Sequence, residues 1–320
     1  MPRKKSNKFI ECFKIFFSSL KTYFMYFDES IKLLAFPIFG QLFSLIFIYT
    51  AVYYYVVNID KIKGIGSFFN NETNLLIILL VIILPLLIVF VKAVYDYIIA
   101  FSSLNLLYFT ASKKKKSKNV DLEANNNVIK RKIFQYVLLL LLVTLILCVP
   151  PLIFVAGISW IFLCLTFQVF AFEGEITAPK AISRSIELVK GNVLVTIMML
   201  VLCSLLTYCF LPNMFVWFFD KTNISFSLVD MWEAFFALLP LKEINEFLSN
   251  IPFLSLSIDA ITLSKWAVEL CISSVVIGFT LPFRCCCFTE LYRLYDSDKI
   301  KEISKSSEDI INRATKKGKN

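Results

Sequence analysis

Oppositely charged residues occur in pairs, four positions apart, within two apolar stretches of this chain. Lys92 precedes Asp96 and Lys265 precedes Glu269, so the members of each pair lie one helical turn apart, where they can interact. Arg284 stands near the end of the last apolar stretch. Charged side chains in an apolar medium are costly and often mark a polar pathway or a substrate contact. The alternative, which we favour, is local pairing, with long side chains reaching back to the nearest polar interface.

Other residue types that perform catalysis or bind metals are scarce. The chain has no His, which excludes histidine triads, histidine zinc motifs and histidine proton relays. It has nine Cys but no Cys-x-x-Cys pair, and most of the Cys stand in apolar stretches as small hydrophobic residues. The run Cys285–Cys287 fits either acylation or close packing. Glu173 and Glu175 have no partner constellation, so we predict no enzyme, no cofactor and no metal site.

Long apolar stretches dominate the rest of the sequence. Hydrophobic residues make up 58% of the chain and charged residues 18%; soluble domains have roughly 45–50% and about 25%. A helix needs about 20 apolar residues to cross a bilayer. We therefore predict an all-α membrane protein whose residues 31–295 form one domain of six transmembrane helices. The predicted spans are 33–57, 75–100, 133–149, 152–172, 193–218 and 263–288, with Pro150 and Pro151 between the third and the fourth.

The segments that connect the spans differ in character. Residues 1–30 contain an amphipathic helix with aromatic residues on one face and cations on the other, which is typical of a membrane interface. A second interfacial helix is predicted at 177–190, between Thr177 as its N-cap and Gly191 at its end. The remaining segments are a solvated basic loop at 110–132, an outer loop at 219–262 and a polar tail at 296–320. Within the outer loop, short helices at 232–239 and 244–251 either lie on the surface or re-enter the membrane.

The basic residues predict which side of the membrane each connection occupies. Residues 1–30, 110–132, 173–191 and 291–320 together contain 25 Lys and Arg. The intervening connections, which are 58–74, the proline turn and 218–262, contain four. Because the two groups alternate across every predicted span, both termini are predicted to be cytoplasmic. The net charge of +9 then indicates anionic lipids at the cytoplasmic face as partners, and it requires no nucleic acid.

Three short motifs resemble one group of bacterial membrane proteins. They are KLLAFPI at Lys32–Ile38, AISRSIELVKGN at Ala181–Asn192 and FTELYRLY at Phe288–Tyr295. Their order and placement around the spans resemble the membrane domain found with some glycerophosphodiester phosphodiesterases and the uncharacterised YciC-like inner-membrane proteins. The catalytic domain of those phosphodiesterases has no counterpart here, because no polar segment is long enough to form a barrel. The resemblance therefore implies a stand-alone domain of the bacterial cytoplasmic membrane without enzyme activity.

The function expected from these patterns is that of a non-catalytic, multi-pass membrane protein that organises the envelope or serves as a scaffold. The alternative is a transporter or a lipid-handling permease, in which the five charged candidates would line a polar pathway. An intramembrane enzyme would need two polar catalytic residues that converge at depth, and the sequence shows no such pair. The sequence does not predict a protein partner.

Overall fold

The computed structural model describes residues 8–63, 72–111, 122–148, 153–173, 176–249 and 258–296. Helices form 92% of these described residues and no strand occurs among them, which confirms the predicted all-α class. The helices are α1 Lys8–Met25, α2 Phe27–Lys63, α3 Glu72–Ala111, α4 Leu122–Arg131, α5 Ile133–Cys148, α6 Ile153–Leu163, α7 Thr166–Phe172, α8 Ala178–Lys190, α9 Val193–Ser204, α10 Leu211–Lys221, α11 Ile224–Phe236, α12 Leu241–Ser249, α13 Ala260–Phe279 and α14 Leu281–Tyr295. A π-helical segment, Leu205–Phe210, joins α9 to α10.

Four helical stretches of the described chain are long and apolar enough to cross a membrane. They are Phe27–Ile62, Thr73–Phe109, Val193–Lys221 and Ala260–Phe279. These stretches overlap the first, second, fifth and sixth predicted spans. The third and fourth predicted spans fall on the apolar helices Ile133–Leu147 and Gly157–Phe172, which are shorter than the roughly 20 residues that cross a bilayer. The proline turn predicted between them lies outside the described residues.

The apolar side chains of the long helices remain exposed in the fold. In the most apolar part of Thr73–Phe109, only 6% of the residues are buried. Val81 is 65% exposed and Ile88 is 60% exposed. Contiguous apolar surface of this extent is rare on soluble proteins, whereas hydrocarbon tolerates it as long as the backbone is hydrogen-bonded within helices. The length and the exposure of these helices together indicate a membrane location.

The internal contacts of the chain divide it into two compact units. The first unit comprises the described parts of 1–35, 95–205 and 279–320, and the second those of 36–94 and 206–278. Aromatic rings fill the interior of the first unit. The ring of Phe172 stacks on Phe109, with centroids 4.2 Å apart, and meets Tyr292 edge-on at 5.1 Å. Helix α1 packs on α14, where the ring of Phe16 contacts that of Phe283 at 5.2 Å.

Small residues allow the helices of the second unit to approach closely. A Cβ atom placed on Gly40 of α2 would lie 3.0 Å from the Cβ atom of Ala93 on α3. A Cβ atom placed on Gly278 of α13 would lie 2.8 Å from Cδ1 of Ile38 on α2. Small residues are common at helix contacts in membranes, because association there depends on van der Waals packing. These two contacts pack α3 and α13 against α2.

Part of the predicted basic loop 110–132 is helical, because residues 122–131 form α4. Val128 and Ile129 are 5% and 1% exposed, so this helix is anchored by two buried apolar side chains. Lys130 and Arg131 lie in its last turn, where cations interact favourably with the C-terminal carbonyls. The lysine run at 113–116 lies outside the described residues.

The predicted span 263–288 consists of two helices instead of one. Helix α13 ends at Phe279 and α14 begins at Leu281, with Thr280 between them at φ −85° and ψ −6°. Pro282 lies in the first turn of α14, a position that proline tolerates because its missing N–H is not needed there. The predicted span 193–218 lies in one helical stretch, in which a π-helical segment separates α9 from α10 and Pro212 lies in the first turn of α10.

The predicted outer loop is largely helical in its described part. The short helices predicted at 232–239 and 244–251 correspond to α11 and α12, although α11 begins earlier, after Asn223. Asn245 of α12 binds the backbone of Ile258 twice, donating to its carbonyl at 2.9 Å and accepting from its N–H at 2.8 Å. Whether these helices lie on the outer surface or re-enter the membrane stays a prediction.

Candidate functional site: the Arg184 cluster

The helix predicted at 177–190 is present as α8 and carries Arg184 in its middle. Its N-terminus follows Thr177, which is extended but makes no capping hydrogen bond through its side chain. The N–H of Ala178 instead donates to the side-chain oxygen of Gln135, at 3.5 Å. Helix α8 packs on α5, α6 and α7 through a face of small and apolar residues. Arg184 therefore projects from a helix that the surrounding helices hold in place.

Arg184 contacts three carboxylates. Its guanidinium lies 3.0 Å from Asp296, 3.1 Å from Glu187 and 3.6 Å from Glu173. Glu187 is one turn further along α8 and is mostly exposed, whereas Asp296 is 6% exposed and follows the last residue of α14. Glu173 follows the last residue of α7. One side chain of α8 thus connects the ends of two other helices.

Tyr292 completes the cluster from α14. Its hydroxyl donates to Asp296 Oδ2 at 3.1 Å and lies 3.3 Å from Glu173 Oε1. The hydroxyl has one proton, so it donates to one of these two carboxylates at a time. The other carboxylate is still paired with Arg184. We call Glu173, Arg184, Glu187, Tyr292 and Asp296 the Arg184 cluster.

Burial and the carboxylates shape the ionisation of the cluster. Burial raises the pKa of Tyr292 well above its ordinary value, and the negative charges of Glu173 and Asp296 raise it further, so the phenol stays neutral. Burial alone would lower the pKa of Arg184, but Glu187, Asp296 and Glu173 together raise it. The cluster therefore contains a permanent cation and a neutral phenol.

The chemical capacity of this arrangement is limited by its own contacts. A general acid or base must reach its substrate within hydrogen-bond distance, but the guanidinium and the phenol here already bind carboxylates of the same chain. Ion pairs that are withdrawn from water contribute to a fold only when their geometry is good and their partners are satisfied. The arrangement fits a structural joint between α7, α8 and α14.

A second polar contact lies beside the cluster. The Tyr295 hydroxyl lies 2.9 Å from that of Thr196 on α9 and donates to the Asn192 carbonyl at 3.3 Å. Asn192 is the last residue of the AISRSIELVKGN motif. Two of the three motifs, Ala181–Asn192 and Phe288–Tyr295, therefore bind each other, at Tyr295 directly and at Tyr292 through Asp296.

The first pair of charged candidates lies on α3. Lys92 is exposed, and its ammonium lies 4.8 Å above the ring of Phe36, as in a cation–π contact. Asp96 is half-buried one turn further along. The contact with Phe36 gives Lys92 a structural partner that the sequence spacing did not indicate.

The other candidates lie on α13 and α14. Lys265 and Glu269 are both exposed on α13, and Arg284 is half-buried on α14. The ion pairs of Arg184 involve none of the five candidates. The polar pathway predicted from these residues stays a prediction.

A buried amide pair connects two helices of the first unit. The Gln168 amide donates to the Asn105 side-chain oxygen at 3.2 Å, between α7 and α3. Both residues are at most 2% exposed.

No family model, no curated protein and no solved structure matches this chain. The likeness to the phosphodiesterase-associated and YciC-like membrane domains accordingly stays a prediction from three motifs. The class that the fold itself defines is an all-helical protein with helices long and apolar enough to cross a membrane.

Proposed function

We propose that this chain is a non-catalytic, multi-pass protein of the bacterial cytoplasmic membrane that serves as a scaffold in organising the envelope. The observation that carries the proposal is the exposure of apolar side chains along the long helices. Leu270 on α13 is 66% exposed, as is Leu145 on α5, and Val81 on α3 is 65% exposed. Lipid is the medium in which such helices are stable without further covering.

The proposed topology has six spans and two cytoplasmic termini. The four long apolar stretches supply four crossings, and the two shorter apolar helices supply the other two. Connections that together contain 25 basic residues alternate along the chain with connections that contain four. This alternation supports six spans, because removing one span would place a basic segment outside.

Helix α1 supports a position at the lipid interface. Phe13, Phe17 and Phe24 are 46%, 62% and 65% exposed and lie along one face of the helix. Lys14 and Lys21 are exposed beside this row of rings. A helix with aromatic residues towards the acyl chains and cations towards the headgroups binds anionic membrane surfaces. Anionic lipid is therefore the partner that we propose for this helix.

We propose that the protein is not catalytic because the polar groups of the Arg184 cluster bind one another. Its guanidinium and its phenol are both bound by carboxylates of the same chain. Such mutual binding suits a joint that holds helices in a fixed relationship, as a scaffold requires.

A lipid-handling permease is the second candidate function, and one cavity favours it. A groove of about 390 Å³ lies between α6 and α9, with an apolar lining that includes Gly157, Trp160, Val201 and Leu205. A groove of this volume and lining can hold part of an acyl chain. If the permease interpretation is correct, filling this groove should abolish the function of the protein.

Complementation of a strain depleted of this protein separates the two functions. The variant Lys92→Gln/Lys265→Gln/Glu269→Gln neutralises three exposed charges, and Gly157→Phe fills the groove between α6 and α9. A scaffold predicts that both variants restore envelope integrity, measured as resistance to detergent, when they accumulate to wild-type levels in the membrane. Failure of either well-inserted variant would contradict the scaffold and support the permease.

A further inference from the structure

A cavity of about 360 Å³ lies in the second unit, between α2 and α11. Five of its nine lining residues are aromatic and none is charged: the rings are those of Tyr49, Tyr53, Tyr54, Trp232 and Phe235. The volume falls within the range of about 300–1,000 Å³ typical of small-molecule sites. We call this cavity the aromatic groove.

Helical spacing explains why the rings converge. Tyr49 and Tyr53 are four residues apart on α2, and Trp232 and Phe235 are three apart on α11, so each pair occupies one face of its helix. The ring of Tyr49 meets Trp232 at 5.5 Å and Phe235 at 5.1 Å, both edge-on. These contacts fix the rings against one another and leave the cavity beside them.

The polar atoms of the groove are mostly hydroxyls. The Thr50 hydroxyl is already used, because it donates to the Ile46 carbonyl at 2.8 Å. The hydroxyls of Tyr49, Tyr53 and Tyr54 bind no residue of the described chain. As far as the described residues go, they are available to a ligand, unlike the hydroxyl of Tyr292 in the Arg184 cluster.

The segment that supplies α11 to the groove carries a charge opposite in sign to that of the whole protein. The chain carries a net charge of +9, yet residues 219–262, which include α11, contain six acidic and two basic residues. Asp230 is exposed on α11, next to Met231, which lines the groove. Aromatic rings with no cation among the described residues that line the groove, on an acidic segment, favour a positively charged ligand over a neutral or an anionic one.

We propose that the aromatic groove binds an organic cation through a quaternary ammonium group. Such a group is attracted to the faces of Trp and Tyr rings while its methyl groups fill apolar space, and the free phenols bind an adjoining polar atom. Two sources share this chemistry, a choline-type lipid headgroup and a free cation from the surrounding water. The proposal depends neither on the number of spans nor on the scaffold function.

The first test compares choline with 3,3-dimethylbutan-1-ol, which has the same shape without the charge. Each probe is titrated into the full-length protein, purified in a maltoside detergent, and binding is followed by ligand-observed NMR. We expect choline to bind at least about five-fold more tightly than its uncharged counterpart, as a cation–π contribution predicts. Equal binding of the two probes, or no saturable binding of choline, would overturn the proposal.

Variants locate the binding in the groove. Tyr54→Leu removes a ring that is 62% exposed, so it should lower choline affinity at least about three-fold with little effect on folding. Tyr54→Phe keeps the ring and should retain more than half of the affinity. Trp217→Leu is the matched control, because Trp217 is 60% exposed on α10 and does not line the groove. The proposal is wrong if Tyr54→Leu and Trp232→Leu both bind choline like the wild type and Trp232→Leu also keeps the wild-type unfolding temperature.

Nanodiscs distinguish the two sources of the ligand. If phosphatidylcholine nanodiscs weaken choline binding and phosphatidylglycerol nanodiscs do not, the cation comes from a lipid headgroup. If choline binds equally in both, it enters from water. A loss of choline binding in both kinds of nanodisc would show that the site exists only in detergent and would contradict the proposal.

Discussion

The guanidinium of Arg184 lies 3.0 Å from the carboxylate of Asp296, although 112 positions separate the two residues in the chain. Asp296 directly follows α14, and Arg184 is in the middle of α8. The same guanidinium reaches Glu173 at the end of α7. A single side chain of α8 thus connects the ends of two other helices, α7 and α14, which makes it the most informative target for substitution.

Replacing Arg184 by Met should destabilise the protein by about 2–3 kcal/mol, because Asp296 and Glu173 then lack their cation in a largely buried site. Lys190→Met is the matched control, since Lys190 is exposed on the same helix, and it should change stability by less than about 0.5 kcal/mol. Unfolding in mixed micelles, followed by circular dichroism, measures both. A similar loss in the two variants would show that the Arg184 cluster is not a joint.

Removing the Tyr292 hydroxyl tests the same joint from the other side. Tyr292→Phe keeps the ring against Phe172 but removes the hydroxyl that donates to Asp296 Oδ2, which should cost about 1–2 kcal/mol. Because Arg184 and Tyr292 share Asp296, the double variant should lose less stability than the two single losses added together. Strict additivity in this double-mutant cycle would mean that the two residues act independently.

The contact between Gly40 and Ala93 should not tolerate a side chain. A Cβ atom on Gly40 would lie 3.0 Å from the Ala93 Cβ atom, which cannot rotate away, so Gly40→Ala should cost about 1–2 kcal/mol. The control is Gly157→Ala, where a Cβ atom would meet nothing within 4 Å. There alanine should be neutral or stabilising by up to about 1 kcal/mol, because it favours helix. Equal stability of the two variants would refute the close approach of α2 and α3.

The N-terminus of α13 should be sensitive to acid. Hydrogen bonds from the Thr262 hydroxyl and from the Thr262 N–H, which donates to Asp259 Oδ1 at 2.7 Å, lower the pKa of Asp259 below its ordinary value of 3.8. The cap therefore stabilises the folded state above pH 3.8 and loses this effect as the pH falls through the lowered pKa. Asp259→Asn should unfold at a lower temperature than the wild type at pH 6, with the difference shrinking towards pH 3. A difference that does not depend on pH would contradict a role for the ionised cap.

Local signals predicted much of the helical architecture. The apolar period and the flanking Thr177 and Gly191 predicted α8 to within one residue. The division at Thr280 was missed because Pro282 stands in an otherwise continuous apolar stretch, and a proline inside such a stretch does not by itself end a helix in a membrane. Helix α4 was not predicted because Val128 and Ile129, the buried apolar residues described in it, stand within a polar segment.

The Arg184 cluster was beyond what local patterns predict. Arg184 and Tyr292 lie within two of the three motifs, and Glu173 precedes the motif Ala181–Asn192. Nothing in the spacing of these residues indicates that they contact one another. Asp296 was assigned to a polar tail, although it is 6% exposed in the fold. Contacts over more than 100 positions depend on how helices pack, and a single sequence does not encode that arrangement in any local period.

The most direct test of the proposed membrane topology is the accessibility of single added cysteines to a maleimide that does not cross membranes. Ser117→Cys lies in the segment predicted from the sequence to be a basic loop, Ser183→Cys on α8 and Ser227→Cys on α11. In intact spheroplasts, the six-span topology predicts labelling above the wild-type background for Ser227→Cys alone, and labelling of all three after the membrane is opened. Labelling of Ser117→Cys or Ser183→Cys from outside would contradict it.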